Sequence, residues 1–152
     1  MKNKIDKFLE YLLVALLLLM VLNITWQVIS RFLIAKPSSF TEEAARFLMI
    51  WLGCLGGSYT AGKKLHPSID LLKHKVGEKT QKGLSTFIEL VIFSFGALIL
   101  LGGGSYLVYT TLSLNQLSAA LQIPIGYVYL CLPLSGIILM YYSMYNLMIK
   151  SK

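Results

Sequence analysis

Arg31, Lys36, Glu42, Glu43 and Arg46 crowd one short tract between two strongly apolar runs. Ionisable groups beside a hydrocarbon phase are costly unless they pair with one another or meet a partner. Glu42 and Glu43 stand at the start of the second run, where the positive end of a helix dipole favours anions. Ser39 precedes Glu42 at capping-box spacing. Arg46, four residues after Glu42 and three after Glu43, shares a helical face with both, and Arg31 is placed to complete the network. Two readings stay open: a self-contained cap that fixes the helix, or a charged edge that docks another protein.

Glu89 is the other acid that demands an account. A lone carboxylate inside a small helical membrane protein suggests a proton-coupled multidrug exporter, in which a proton and a cation compete for one site. Glu89 follows Leu84 by about one and a half turns, close to a lysine-rich edge, so pairing with a lysine or snorkelling to the interface is the reading that its shallow depth favours. No series of acids, amides and paired broken helices builds a midplane substrate site. Cys54 and Cys131 fall inside apolar runs and read as small packing residues. His66 and His74 lie in a basic loop without metal-ligand spacing. The chain itself carries no catalytic, substrate-binding or metal site and no cofactor in this reading.

The elements that hold these residues are set by composition. Hydrophobic residues make up 56% of the 152, charged residues 14%, and the mean hydropathy is +0.67. This is the signature of an integral membrane protein. The apolar runs do not alternate as barrel strands would; Leu12 to Leu19 is continuous. The expected fold is all-α: one membrane domain over residues 1–152, with four transmembrane helices near 8–32, 41–61, 84–114 and 124–149. Within 63–82, Ile69, Leu72 and Val76 recur at helical spacing among lysines, with Ser68 an N-cap after Pro67. This predicts a short amphipathic helix over about 68–77, lying in the lipid headgroup layer.

The net charge of +7 is a topology signal rather than a nucleic-acid footprint. Lys2, Lys4 and Lys7 precede the first run; Lys63, Lys64, Lys73, Lys75, Lys79 and Lys82 lie between the second and third; Lys150 and Lys152 follow the fourth. The positive-inside rule places both termini in the cytoplasm. The first run extends past Trp26 without a small-residue cleavage site, so it reads as a retained span rather than a signal peptide.

Polar and small residues mark the faces that meet protein. Asn23, Gln27, Ser30 and Arg31 form one stripe on the first span, with Trp26 alongside. Gly53 and Gly57 make a small-xxx-small pattern on the second, which admits another helix backbone. Gly102, Gly103 and Gly104 mark a flexible or closely packed segment, and Pro133 and Gly136 predict kinks in the fourth span. Tyr127 and Tyr129 at one end of that span, with Tyr141, Tyr142 and Tyr145 at the other, read as interfacial anchors.

Together these residues resemble a family. Trp26 to Arg31 closing the first span, Ser39-Phe-Thr-Glu42-Glu43-Ala-Ala-Arg46 opening the second, Trp51-Leu-Gly53 with Gly56 and Gly57 inside it, and His66-Pro-Ser-Ile69-Asp70-Leu71 after it are similar to the small membrane subunit of tripartite ATP-independent periplasmic (TRAP) transporters. His66-Pro67 departs from the aliphatic residue often found there. The resemblance implies a bacterial or archaeal inner-membrane complex that takes up organic acids, such as sialic acid or C4-dicarboxylates, on a sodium gradient. It implies a large elevator-type membrane subunit that carries the sodium and substrate sites, and a periplasmic substrate-binding protein. In that setting Asn23, Trp26, Gln27, Gly53 and Gly57 are expected at the large-subunit interface, and Arg31, Lys36, Glu42, Glu43 and Arg46 in a periplasmic-side network or docking edge. Besides the Glu89 exporter, a structural subunit of another membrane complex is the competing reading.

Overall fold

A computed structural model describes residues 2–33, 38–63 and 78–150. Helix α1 spans Lys2–Leu33, α2 Ser39–Gly62 and α3 Glu78–Phe95; a π-helical stretch, Gly96–Gly103, continues α3 into α4, Gly104–Ser113. A short α5, Ile125–Tyr129, precedes α6, Cys131–Lys150. The loop between α4 and α5 is tied by one antiparallel bridge, Leu117 to Pro124.

Among the described residues three helical stretches are long and apolar enough to cross a membrane: Lys2–Phe32, Gly83–Ser113 and Ile125–Met148. Helix α2 has 24 residues, enough length for a fourth, but Arg46 and a run of Gly, Ser and Thr from Gly53 onward make it more polar than the other three. The expected amphipathic helix over 68–77 lies outside the described residues, as does Lys36.

Helix α6 is the centre of the bundle, packing on α2, on α3 and on the π-helical stretch, while α1 lies against α2. The interior is built from small and polar side chains: Ser58, Ser135, Ser143, Asn146 and Cys131 are all buried. Lipid is as apolar as leucine, so membrane helices associate through close packing and hydrogen bonds rather than through hydrophobic burial. Large apolar residues therefore face outward, and Leu18, Leu22, Phe87, Leu98 and Ile137 are exposed.

Gly136 shows why the core residues must be small. A Cβ there would stand 2.9 Å from both the Gly96 carbonyl oxygen and the Leu101 amide nitrogen. At this crossing the Gly104 amide reaches back five residues to the Ile99 carbonyl, the wider turn of a π-helix. The helical stretch Ile125–Met148 is interrupted at Leu130, between α5 and α6, three residues before Pro133, whose missing N–H leaves the Tyr129 carbonyl without its usual helical donor.

Sequence spacing also misplaced the start of α2. Ser38, not Ser39, is the N-cap, in extended conformation and without a side-chain cap bond; its carbonyl accepts from the Thr41 and Glu42 amides at 3.2 and 3.4 Å and from the Thr41 hydroxyl at 2.9 Å.

At the lysine-rich end three helices are pinned together. The Tyr142 hydroxyl donates to the Asp6 carboxylate, and its ring packs so close to Gly62 that a methyl group there would run into it. Lys2 Nζ lies 4.8 Å from the Tyr145 ring centroid. Tyr142 is thus a buried joint, 1% exposed, rather than an interfacial anchor. Lys63, just past α2, is held above its ordinary pKa chiefly by the Tyr59 hydroxyl, with Glu10 and Asp6 adding to it against desolvation.

Candidate subunit interface

Helices α2 and α3 are spread apart over α6, which leaves an apolar groove of about 430 Å³. Gly53, Gly57 and Ala61 form one wall, Val91 and Phe95 the other, and Leu139 lies on the floor. The polar atoms beneath are already satisfied: Ser58 Oγ donates to the Ser135 carbonyl at 3.0 Å, and Ser135 Oγ to the Leu132 carbonyl at 2.8 Å. Cys54 also lines the groove, and its side chain is in contact with that of Cys131. The groove offers an apolar surface with no free donor to attract a charged ligand. A Cβ added at Gly53 or Gly57 would meet nothing within 4 Å. The close helix approach that these glycines permit is therefore not made among the described residues.

The residues singled out from the sequence separate accordingly. Asn23 Nδ2 donates to the Thr41 carbonyl at 2.8 Å and so joins α1 to α2. Ser30 on the same stripe is buried, Gln27 is half-buried, and Trp26 is exposed. Arg31, Glu42 and Arg46 all face outward at the end of the bundle opposite the lysines. The Arg31 guanidinium stacks on the neighbouring Phe32 ring at 6.0 Å.

Glu43 does not take the Arg46 partner its spacing suggested. Its carboxylate accepts the backbone amides of Ala119, Ala120 and Leu121 at 3.1, 2.8 and 2.8 Å, clamping the α4–α5 loop onto α2. Nothing near Glu43 in the sequence marks this, because its partners lie 76 to 78 residues away. Glu89 is 7% exposed and so does not snorkel to the surface: the Ser143 hydroxyl, 2.6 Å from the Glu89 carbonyl, stands 3.0 Å from its carboxyl oxygen. Both groups join α3 to α6. Among the described residues no group of three or more His, Cys, Asp or Glu is placed to hold a metal ion.

Residues 20–150 match the family described as tripartite ATP-independent periplasmic transporters, DctQ component. The chain belongs to this family. The sialic acid TRAP transporter small permease protein SiaQ of Vibrio cholerae is 28% identical to this DctQ-family subunit over 134 residues, 84% of this chain and 76% of that one. The sialic acid TRAP transporter permease protein SiaT of Haemophilus influenzae is 36% identical over 67 residues, 44% of this chain but 11% of that far longer one. A DctQ-family small permease is a component of a transporter and not an enzyme, and its apolar helices make it a multi-pass membrane protein. Membership also turns the account of Glu89 away from an autonomous exporter.

Proposed function

We propose that this small permease subunit is the stationary scaffold of a sodium-driven TRAP transporter for organic acids, and that it receives the large transport subunit in the groove between α2 and α3. The observation that carries this reading is the pair Gly53 and Gly57, open to the outside on the wall of an apolar slot. Small residues at this spacing let two helix backbones meet closely in a membrane. The SiaT match supports the choice of partner, since a stretch similar to this chain is contained in a much longer permease. Sodium and substrate would bind to that larger partner. The names of both relatives make sialic acid the first substrate to test, ahead of C4-dicarboxylates.

In this reading α2 is the second of four crossings. Its start meets Asn23 near the far end of α1 and its last residue meets Tyr142 near the end of α6, so it runs the height of the bundle. The lysine-rich end, with both termini and the amphipathic segment at 68–77, faces the cytoplasm of a bacterial cell. Arg31, Glu42 and Arg46, with Lys36 between them in sequence, form the periplasmic edge where the substrate-binding protein docks.

Gly53→Leu and Gly57→Leu, each made in the tagged chain co-expressed with its large subunit and binding protein, test this. The expected result is normal membrane insertion with loss of large-subunit recovery and of sialic acid uptake. Full recovery of the large subunit with both variants would remove the groove from the interface.

A further inference from the structure

No charged residue lies between Glu89 and Lys150, so the α4–α5 loop turns at the lysine-poor end of the bundle without one. Leu114, Leu117 and Ile123 on this loop, and Tyr127 just beyond it, are 39 to 63% exposed. They continue the outer face of α4, where Tyr106 and Tyr109 stand clear of the bundle. That face belongs to a stretch long and apolar enough to cross a membrane. Exposed apolar side chains thus continue from the spanning helix onto the loop, with the uncharged amides of Asn115, Gln116 and Gln122 exposed among them.

The backbone of the loop points the same way. A loop in water can leave its amides to the solvent, whereas one at low dielectric must satisfy them within the protein. The amides of Leu114, Asn115, Gln116, Ser118, Gln122 and Ile125 donate to carbonyls of the chain at 2.9 to 3.2 Å. Those of Ala119, Ala120 and Leu121 are taken by Glu43, whose negative charge is met in return by three donors. The hydroxyls of Thr110, Thr111 and Ser113 turn back onto carbonyls of α4. A docking face for a water-soluble protein keeps a polar rim with groups free to bond. This loop has no charge, and most of its backbone donors are already engaged.

We propose that the 114–124 loop lies in the bilayer interface, with Leu117 and Ile123 inserted at the boundary between headgroups and acyl chains. The lipid surface, rather than another protein, is its partner. Glu43 then closes the backbone of a loop that has no water to turn to.

The test places a bimane fluorophore at Leu117→Cys and, separately, at Ile123→Cys in the full chain, purified with the membrane partners it retains and held in lipid nanodiscs. The wild-type chain, with Cys54 and Cys131, sets the labelling background, and normal elution on size exclusion checks each variant. Quenching by a lipid with a nitroxide near its headgroup is compared with quenching by aqueous iodide. The expected result at both sites is loss of most fluorescence to the lipid quencher and retention in iodide. Loss to iodide instead would overturn the proposal by showing a loop in water. Retention with both quenchers would overturn it by showing a loop covered by protein.

Discussion

Replacing Gly136 by alanine puts a methyl group into a helix crossing where backbone meets backbone. The new Cβ lies 2.9 Å from the Gly96 carbonyl oxygen and the Leu101 amide nitrogen and 3.0 Å from Leu100 Cβ, about 0.5 Å inside an ordinary contact of roughly 3.5 Å. Two of the three obstacles are backbone atoms, so no side chain can rotate away; α6 and the π-helical stretch must separate. Overpacking of this kind costs about 1–3 kcal/mol, and the upper part of that range fits a contact between backbones. Alanine returns about 0.5–1 kcal/mol as the better helix former. The net loss is about 1–2 kcal/mol, which for a chain of this length lowers the melting midpoint by roughly 2–8 °C. Gly53→Ala is the matched control, because its Cβ meets nothing within 4 Å and only the helix-propensity gain remains. The assay is the surviving monodisperse fraction of the isolated chain after heating in detergent. Gly136→Ala melting at or above wild type, or Gly53→Ala melting as low as Gly136→Ala, would contradict this account of the crossing.

Four further outcomes follow from the buried polar contacts and the charged edge. Ser143→Ala leaves the buried Glu89 carboxyl without its hydroxyl neighbour and is expected to cost about 1–3 kcal/mol, read as a lower melting midpoint; Glu89→Gln should retain sialic acid uptake, and its abolition would revive a transport role for that acid. Asp6→Ala frees the Tyr142 hydroxyl and should destabilise the α1–α6 joint by about 1 kcal/mol, seen as faster proteolysis near the N-terminus, while cleavage unchanged from wild type would deny the joint any role. Arg31→Glu should weaken uptake with the large subunit still recovered in full; loss of the subunit instead would assign Arg31 to assembly.

The three most apolar helices were legible because a run such as Leu12 to Leu19 has one stable solution in hydrocarbon, a helix whose backbone bonds to itself. What stayed hidden were bonds across long sequence distances. Glu43 had two plausible cations nearby, and nothing in the chain said that three amides beyond residue 118 would take it. Tyr142 looked like its neighbours Tyr141 and Tyr145 until Gly62 and Asp6 were brought against it. The depth of Glu89 was judged from its distance to the nearest lysines, but its burial is set by which way it faces, toward Ser143.

The π-helical stretch also governs how length can change in this helix. A π turn holds about one residue more than an α turn, so everything beyond Gly103 is rotated by roughly 100° from where an unbroken α-helix would carry it. Val108 and Thr111 owe their inward aim to that offset. Deleting a single residue between Gly96 and Gly103 would remove the extra residue and its offset together, so the segment would relax into a plain α-helix with Val108 and Thr111 still turned inward and Tyr106 and Tyr109 still outward. Forcing the present length into a plain α-helix would instead swing Val108 and Thr111 away from the bundle.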